Sequence, residues 1–174
     1  MEAAITGLPV WLSALHLDGS EILSDQPIQR VLTIENETSL LDFVEQRRHD
    51  ASTICLYTAG HANRAVISLL RLIAQNFSNA LFEHHGDLDL PGVRIVASLM
   101  ERTGLRIQPI NMDASAHECF QDAGIKLSDE EHSQVVRESL VGKLPCQDLL
   151  KRIAVTRLRI EQEVITGSWQ PDDD

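Results

Sequence analysis

ALFEHHGDLDLPGVRIVASLMERTGLRIQPINMD, residues 80–113, contains one full strand–loop–helix–strand cycle. ALFEHH is a short strand candidate, HGDLDLPG a turn, and VRIVASLMER a helix ended by Gly104. RIQPI is then a further strand that closes on Asn111-Met112-Asp113. The cycle occurs twice upstream. RVLTI after Pro27 is a β-branched apolar run, followed by ENETSLLDFVEQ, where Asn36 or Thr38 caps a helix with Leu40, Leu41, Phe43 and Val44 inward. TICLYT is a buried-strand candidate, Gly60 opens a loop, and NRAVISLLRLIAQ has apolar positions at helical spacing. Strands alternating with helices of about 10 to 15 residues predict an α/β fold with a mostly parallel four-stranded sheet flanked by helices.

Working outward, residues 1–27 form an N-terminal lead-in with acidic residues and no Lys or Arg, broken by Gly7, Pro9, Gly19 and Pro27. Residues 28–114 form the α/β core. Residues 115–166 are expected to be a helical extension without strands, built from SDEEHSQVVRESLVG, PCQDLLKRIA and TRLRIEQEVI. The end, GSWQPDDD at 167–174, reads as a flexible acidic tail.

Composition narrows the function. With 43% hydrophobic residues the 174-residue chain has enough apolar material for a compact core and is not a disordered tail. Fifteen Lys+Arg against 26 Asp+Glu give −11, which argues against holding nucleic acid by a broad basic surface. Any such role has to be local, metal-assisted or shared with a partner. Aromatic residues, at 4%, give little support for base stacking. Cys55, Cys119 and Cys146 are odd in number and widely spaced, which suggests neither a disulfide framework nor a zinc cluster. The opening MEAAITGLPVWLSAL lacks a basic leader and cleavage site, and no apolar run is long enough to span a membrane. A cytoplasmic protein is expected.

In an open parallel sheet, ligands bind beyond the carboxyl ends of the strands, where strand order reverses. There the strands deliver Glu35-Asn36, Thr58-Ala59-Gly60-His61, Gly86-Asp87-Leu88-Asp89 and Asn111-Met112-Asp113. If the first and third strands are neighbours, Glu35 faces Asp87 and Asp89. Three carboxylates with no adjacent Lys or Arg repel one another unless a cation occupies them, and hard oxygen ligands select Mg2+ or Mn2+. Asp87-x-Asp89 sends two carboxylates to nearly the same side, and Pro91-Gly92 allows a tight start of the following helix.

Other residues have two readings each. Gly60, His61, Arg64 and Arg94 either bind phosphate or belong to solvated loops and helix faces. Of His84 and His85, alternating along a strand, one is expected in the core and the other toward the crevice. Asp113 either supports the site from behind or caps the helix ASAHECF.

VLTIEN at 31–36, the TAG loop at 58–60 and HHGDLDLPGVRI at 84–95 together resemble the toprim domain of topoisomerases, primases and several nucleases. With Met112-Asp113 and IEQE at 160–163, the likeness is nearest to the toprim module of the Wadjet plasmid-defence nuclease subunit and of type IIB topoisomerase A subunits. It spans most of residues 28–165. The resemblance implies that Glu35, Asp87 and Asp89 hold one or two Mg2+ or Mn2+ ions, that Glu35 doubles as general acid or base, and that Glu163 or Glu161 adds a ligand. It implies hydrolysis of DNA phosphodiesters inside a larger assembly or a homodimer. Topoisomerase-like strand passage is not expected, because Tyr57, the only tyrosine, lies inside a predicted buried strand. The rival readings are a non-catalytic toprim-like interaction module and a haloacid-dehalogenase-type phosphotransferase. Against the latter, Leu-Pro-Gly follows the second Asp and no later strand carries a lysine.

Overall fold

The computed structural model describes residues 27–46 and 52–166. The lead-in, except Pro27, and the acidic tail therefore lie outside the described residues. Strands β1 (Arg30–Ile34), β2 (Thr53–Tyr57), β3 (Leu81–His85) and β4 (Gln108–Pro109) form one sheet in the order β2-β1-β3-β4. All three pairings are parallel. Helices α1 (Glu37–Gln46), α2 (Arg64–Asn76) and α3 (Leu90–Thr103) connect the strands. The α/β class expected from the repeated strand–helix cycle is what the chain adopts.

The two-residue strand period sorts the core. Val31 and Phe82 face α2 and α3, packing with Ile67, Leu70, Ile73, Ile95 and Leu99. Leu32 and Ile34 face the other way, onto Phe43 of α1. β1 and β3 are central, so their residues are nearly all buried. β2 has one neighbour and is half-buried along its length, Tyr57 included, rather than buried as TICLYT suggests. RIQPI contributes only two residues to the sheet, and its proline sits in the outer strand, where a missing N–H is tolerated.

After α4 (Ala114–Cys119) the chain departs from the expected all-helical course. β5 (Ile125–Lys126) precedes α5 (Asp129–Val141) and α6 (Gln147–Thr156), which form as expected; Ser128 and Glu131 make a reciprocal capping box at the start of α5. TRLRIEQEVI, however, is not one helix. Arg157 takes a left-handed backbone (φ 59) that stops α6. β6 (Leu158–Arg159) then pairs antiparallel with β5, Ile160 bridges Leu88, and only α7 (Gln162–Thr166) is helical. The cause is the alternation of Leu158, Arg159, Ile160 and Glu161, a period of two that half-buries Leu158 and fully buries Ile160. Leu88, Leu90, Val93 and Val96 share one apolar cluster with Val135, Leu149, Leu150, Ile153 and Ile160. The C-terminal region is thereby fixed against the loop that carries the two aspartates.

Candidate metal and phosphate site

β1 runs on to β2 at one side and has β3 at the other, so strand order reverses between β1 and β3. The crevice beyond their carboxyl ends is the expected binding position of such a sheet. Ile34 pairs with His85 in register, and the next residues, Glu35 and Gly86, lie beyond that pair. Glu35 is held there at both ends. Its amide donates to His85 O (3.1 Å), and its carboxylate Oε2 accepts from the Asp87 amide (3.3 Å). The first and third strands are neighbours, the condition on which the sequence reading has Glu35 facing Asp87 and Asp89, and the Glu35 carboxylate reaches the Asp87 amide.

The glycines of GDLDLPG have steric reasons. A Cβ on Gly86 would stand 2.7 Å from Glu35 Oε2 and 2.9 Å from His84 Nε2, so both groups use the space that glycine leaves. A Cβ on Gly92 would stand 2.3 Å from the Asp87 carbonyl. Asp89 is the N-cap of α3, its Oδ1 accepting from the Gly92 amide (2.7 Å), with proline in the first turn. Asp87 Oδ1 accepts from the Gln162 amide (2.7 Å).

Burial pushes the Glu35 carboxyl from its ordinary 4.5 to about 7; the charges of Asp87, Asp89 and Glu163 add to the rise, and the bond from the Asp87 amide opposes it. Asp89 is raised to about 6, first by burial and then by Asp87, against the bond from Gly92. Asp87 is raised as well, again by burial, with Glu163 and Glu161 adding and the Gln162 amide and Arg159 opposing. These carboxyls are held together at an electrostatic cost that a dication reverses. The donors are hard oxygens, the set that suits Mg2+ or Mn2+. Among the described residues no group of three or more His, Cys, Asp or Glu side chains stands in a geometry that could hold a metal ion.

The second motif halves are bound to the first. Asn36 caps α1 by accepting from the Thr38 and Ser39 amides (2.8 and 3.3 Å), and its side-chain amide donates to Glu163 Oε1 (2.5 Å). Gln162, fully buried, donates through Nε2 to His85 O (3.0 Å) and accepts through Oε1 from the Asn36 amide (2.8 Å). Glu163 thus lies at the rim of the carboxylate group. Glu161 precedes α7 and pairs with Arg159 at 3.8 Å.

His84 and His85 are both completely buried; neither looks out into the crevice. The Thr33 hydroxyl donates to Glu83 O (2.9 Å), leaving it as acceptor for His84 Nδ1–H (2.9 Å). His84 is therefore the neutral Nδ1–H tautomer, and its Nε2 lone pair is buried without a hydrogen-bond partner beside Gly86. Burial lowers His84 to about 3 and His85 to about 4.

The remaining candidates separate. Gly60 (φ 76) follows Ala59 (φ 54), so two left-handed residues turn the loop after β2, and Thr58 ties it to Ile34 O. His61 and Arg64 are exposed. Arg94 is engaged by Glu138 of α5 at 3.2 Å. Asp113 caps α4, accepting from the Ala116 amide (2.7 Å), which decides between its two readings. Sequence reasoning missed Gln162 and Arg159; the alternation around Ile160 was the signal that locates both.

The family model described as Wadjet protein JetD, C-terminal, matches residues 11–172. No curated protein matches the chain. Among the described residues, no helix is long and apolar enough to cross a membrane.

Proposed function

The chain belongs to the Wadjet protein JetD C-terminal family, and from that premise we propose that it is a toprim-type, Mg2+- or Mn2+-dependent nuclease domain that hydrolyses DNA phosphodiesters within a larger defence assembly. The observation that carries this reading is that β1 and β3 are neighbours, which brings the Glu35 carboxylate to the Asp87 amide (3.3 Å), with the carboxyls of Glu35, Asp87 and Asp89 all raised, chiefly by burial. Glu35, Asp87 and Asp89 are the residues that would hold the metal, with Glu163 at the margin. When bound, a dication there would supply Lewis-acid stabilisation of charge on a phosphate oxygen. Glu35 is also the candidate general acid or base; its value of about 7 belongs to the metal-free protein, and a bound dication would lower it. The net charge of −11 leaves DNA capture to partner subunits or a second copy that supply a basic groove.

The other reading is a toprim-like interaction module. What favours it is the exposure of Leu140 (81%) on α5 and Val155 (79%) on α6, large apolar side chains facing solvent. Supercoiled-plasmid nicking with Mg2+ or Mn2+ decides between them. The nuclease reading expects nicking that falls more than about tenfold in Asp87→Ala. Wild-type protein that never nicks, with or without its partner subunits, supports the module instead.

A further inference from the structure

The carboxylate crevice needs a cation that can hold a phosphate, and the sequence offers Arg64 and Arg94 for it. Arg94 is committed to Glu138, and Arg64 is exposed at the start of α2. The bridge between Leu88 and Ile160 brings in another. Because that bridge is antiparallel, Asp89 stands opposite Arg159 and Asp87 opposite Glu161. Leu88 and Ile160 are both 0% exposed and face the core, so the flanking pairs are directed to the other side. The Gln162 amide, three residues on, is bonded to Asp87, which fixes the register of this segment against the aspartate loop. The Arg159 side chain is 34% exposed, and its ion pair with Glu161 is long, at 3.8 Å. The charge of Arg159 lowers both Asp87 and Asp89 against the effect of burial.

We propose that Arg159 is the phosphate-binding cation of this site, its guanidinium gripping a phosphodiester oxygen beside the carboxylates at the end of β3. The inference rests on the nuclease reading above and deepens it by naming the residue that receives the substrate's charge. Arginine suits this role because it stays charged and its planar fork matches two phosphate oxygens. A cation next to Asp87 and Asp89 also opposes a dication until phosphate arrives. Arg159 therefore favours the anionic ligand and disfavours the bare metal, whereas a merely structural arginine would affect both alike.

The test uses the full chain at pH 8 and reads binding, not turnover. A duplex oligonucleotide with phosphorothioate linkages is titrated in Mg2+ by fluorescence anisotropy, and Mg2+ alone is titrated by calorimetry, for wild type, Arg159→Ala and Arg159→Lys. Arg159→Ala is expected to weaken the oligonucleotide by roughly 10- to 100-fold while Mg2+ alone binds as tightly or tighter. Arg159→Lys, which keeps the charge and loses the fork, is expected between the two, with an unchanged melting temperature. Equal oligonucleotide affinity in all three proteins overturns the proposal, as does a parallel loss of oligonucleotide and Mg2+ affinity in Arg159→Lys. Wild-type protein that binds no oligonucleotide in Mg2+ even with its partner subunits present also overturns it. Loss of nicking in Asp87→Ala is a separate result, so a failed Arg159 prediction leaves the nuclease reading standing.

Discussion

Replacing Glu35 by glutamine removes a charge that the fold holds unfavourably. In the unfolded chain this carboxyl ionises near 4.5, in the native state near 7. Between those values the native state keeps a proton that the unfolded chain has lost, so stability falls as pH rises through the window. Glu35→Gln is expected to melt higher than wild type at pH 8 without divalent ions, with the gain shrinking toward pH 4.5. Mg2+ should raise the melting temperature of wild type and leave the variant nearly unmoved. A variant that melts lower at pH 8 contradicts this. Gly92→Ala would put a Cβ 2.3 Å from the Asp87 carbonyl, and overpacking of that kind costs about 1–3 kcal/mol. Thermal unfolding measures the loss, and because Asp87 is the group displaced, Mg2+ affinity should fall with it. At this scale the sequence was informative where a residue's chemistry is set by its neighbours in the chain: Asp87, Asp89 and Gly92 form one turn. It was uninformative about His84, whose tautomer depends on Thr33 and Glu83, brought beside it by strand pairing.

At the scale of elements, the cycle of strands and helices was legible because each strand is bounded by loop residues and each helix shows one apolar face. The nearness of Glu35 to Asp87 remained conditional on the order of β1 and β3, which local pattern does not encode. The last part of the chain misled because LRIE alternates for only four residues, too few to separate a strand from a helix whose neighbour α6 is helical. This segment allows a contrast within one apolar cluster. Ile153 and Ile160 are both fully buried there, and truncating either to alanine is expected to cost about 2–5 kcal/mol. Ile160 also holds the bridge that carries Arg159 and Gln162 to the aspartate loop. Denaturant unfolding should therefore rank the two variants together, while Mg2+ calorimetry at a temperature where both are folded should show weakened binding for Ile160→Ala alone. Equal Mg2+ affinities would separate the bridge from the site.

For the whole molecule, the charge of −11 is the dominant fact. A basic DNA-binding protein loses affinity steeply as salt rises, because it releases counterions from the phosphates. This chain should behave in the opposite sense at low ionic strength, since added salt screens repulsion between two polyanions. Nicking of plasmid by the isolated protein in fixed Mg2+ is expected to be weak and to rise, or stay level, between about 20 and 100 mM salt, where the Debye length shrinks from roughly 20 to 10 Å. A steep fall would show that the chain carries its own basic groove. The central claim, that the crevice between β1 and β3 is a divalent-cation site, is tested most directly by calorimetric titration of Mg2+ and Mn2+ into wild type and into Asp87→Ala combined with Asp89→Ala. Saturable binding in wild type that disappears in the double variant is the expected result; binding unchanged by the two substitutions, or absent from wild type, would contradict it.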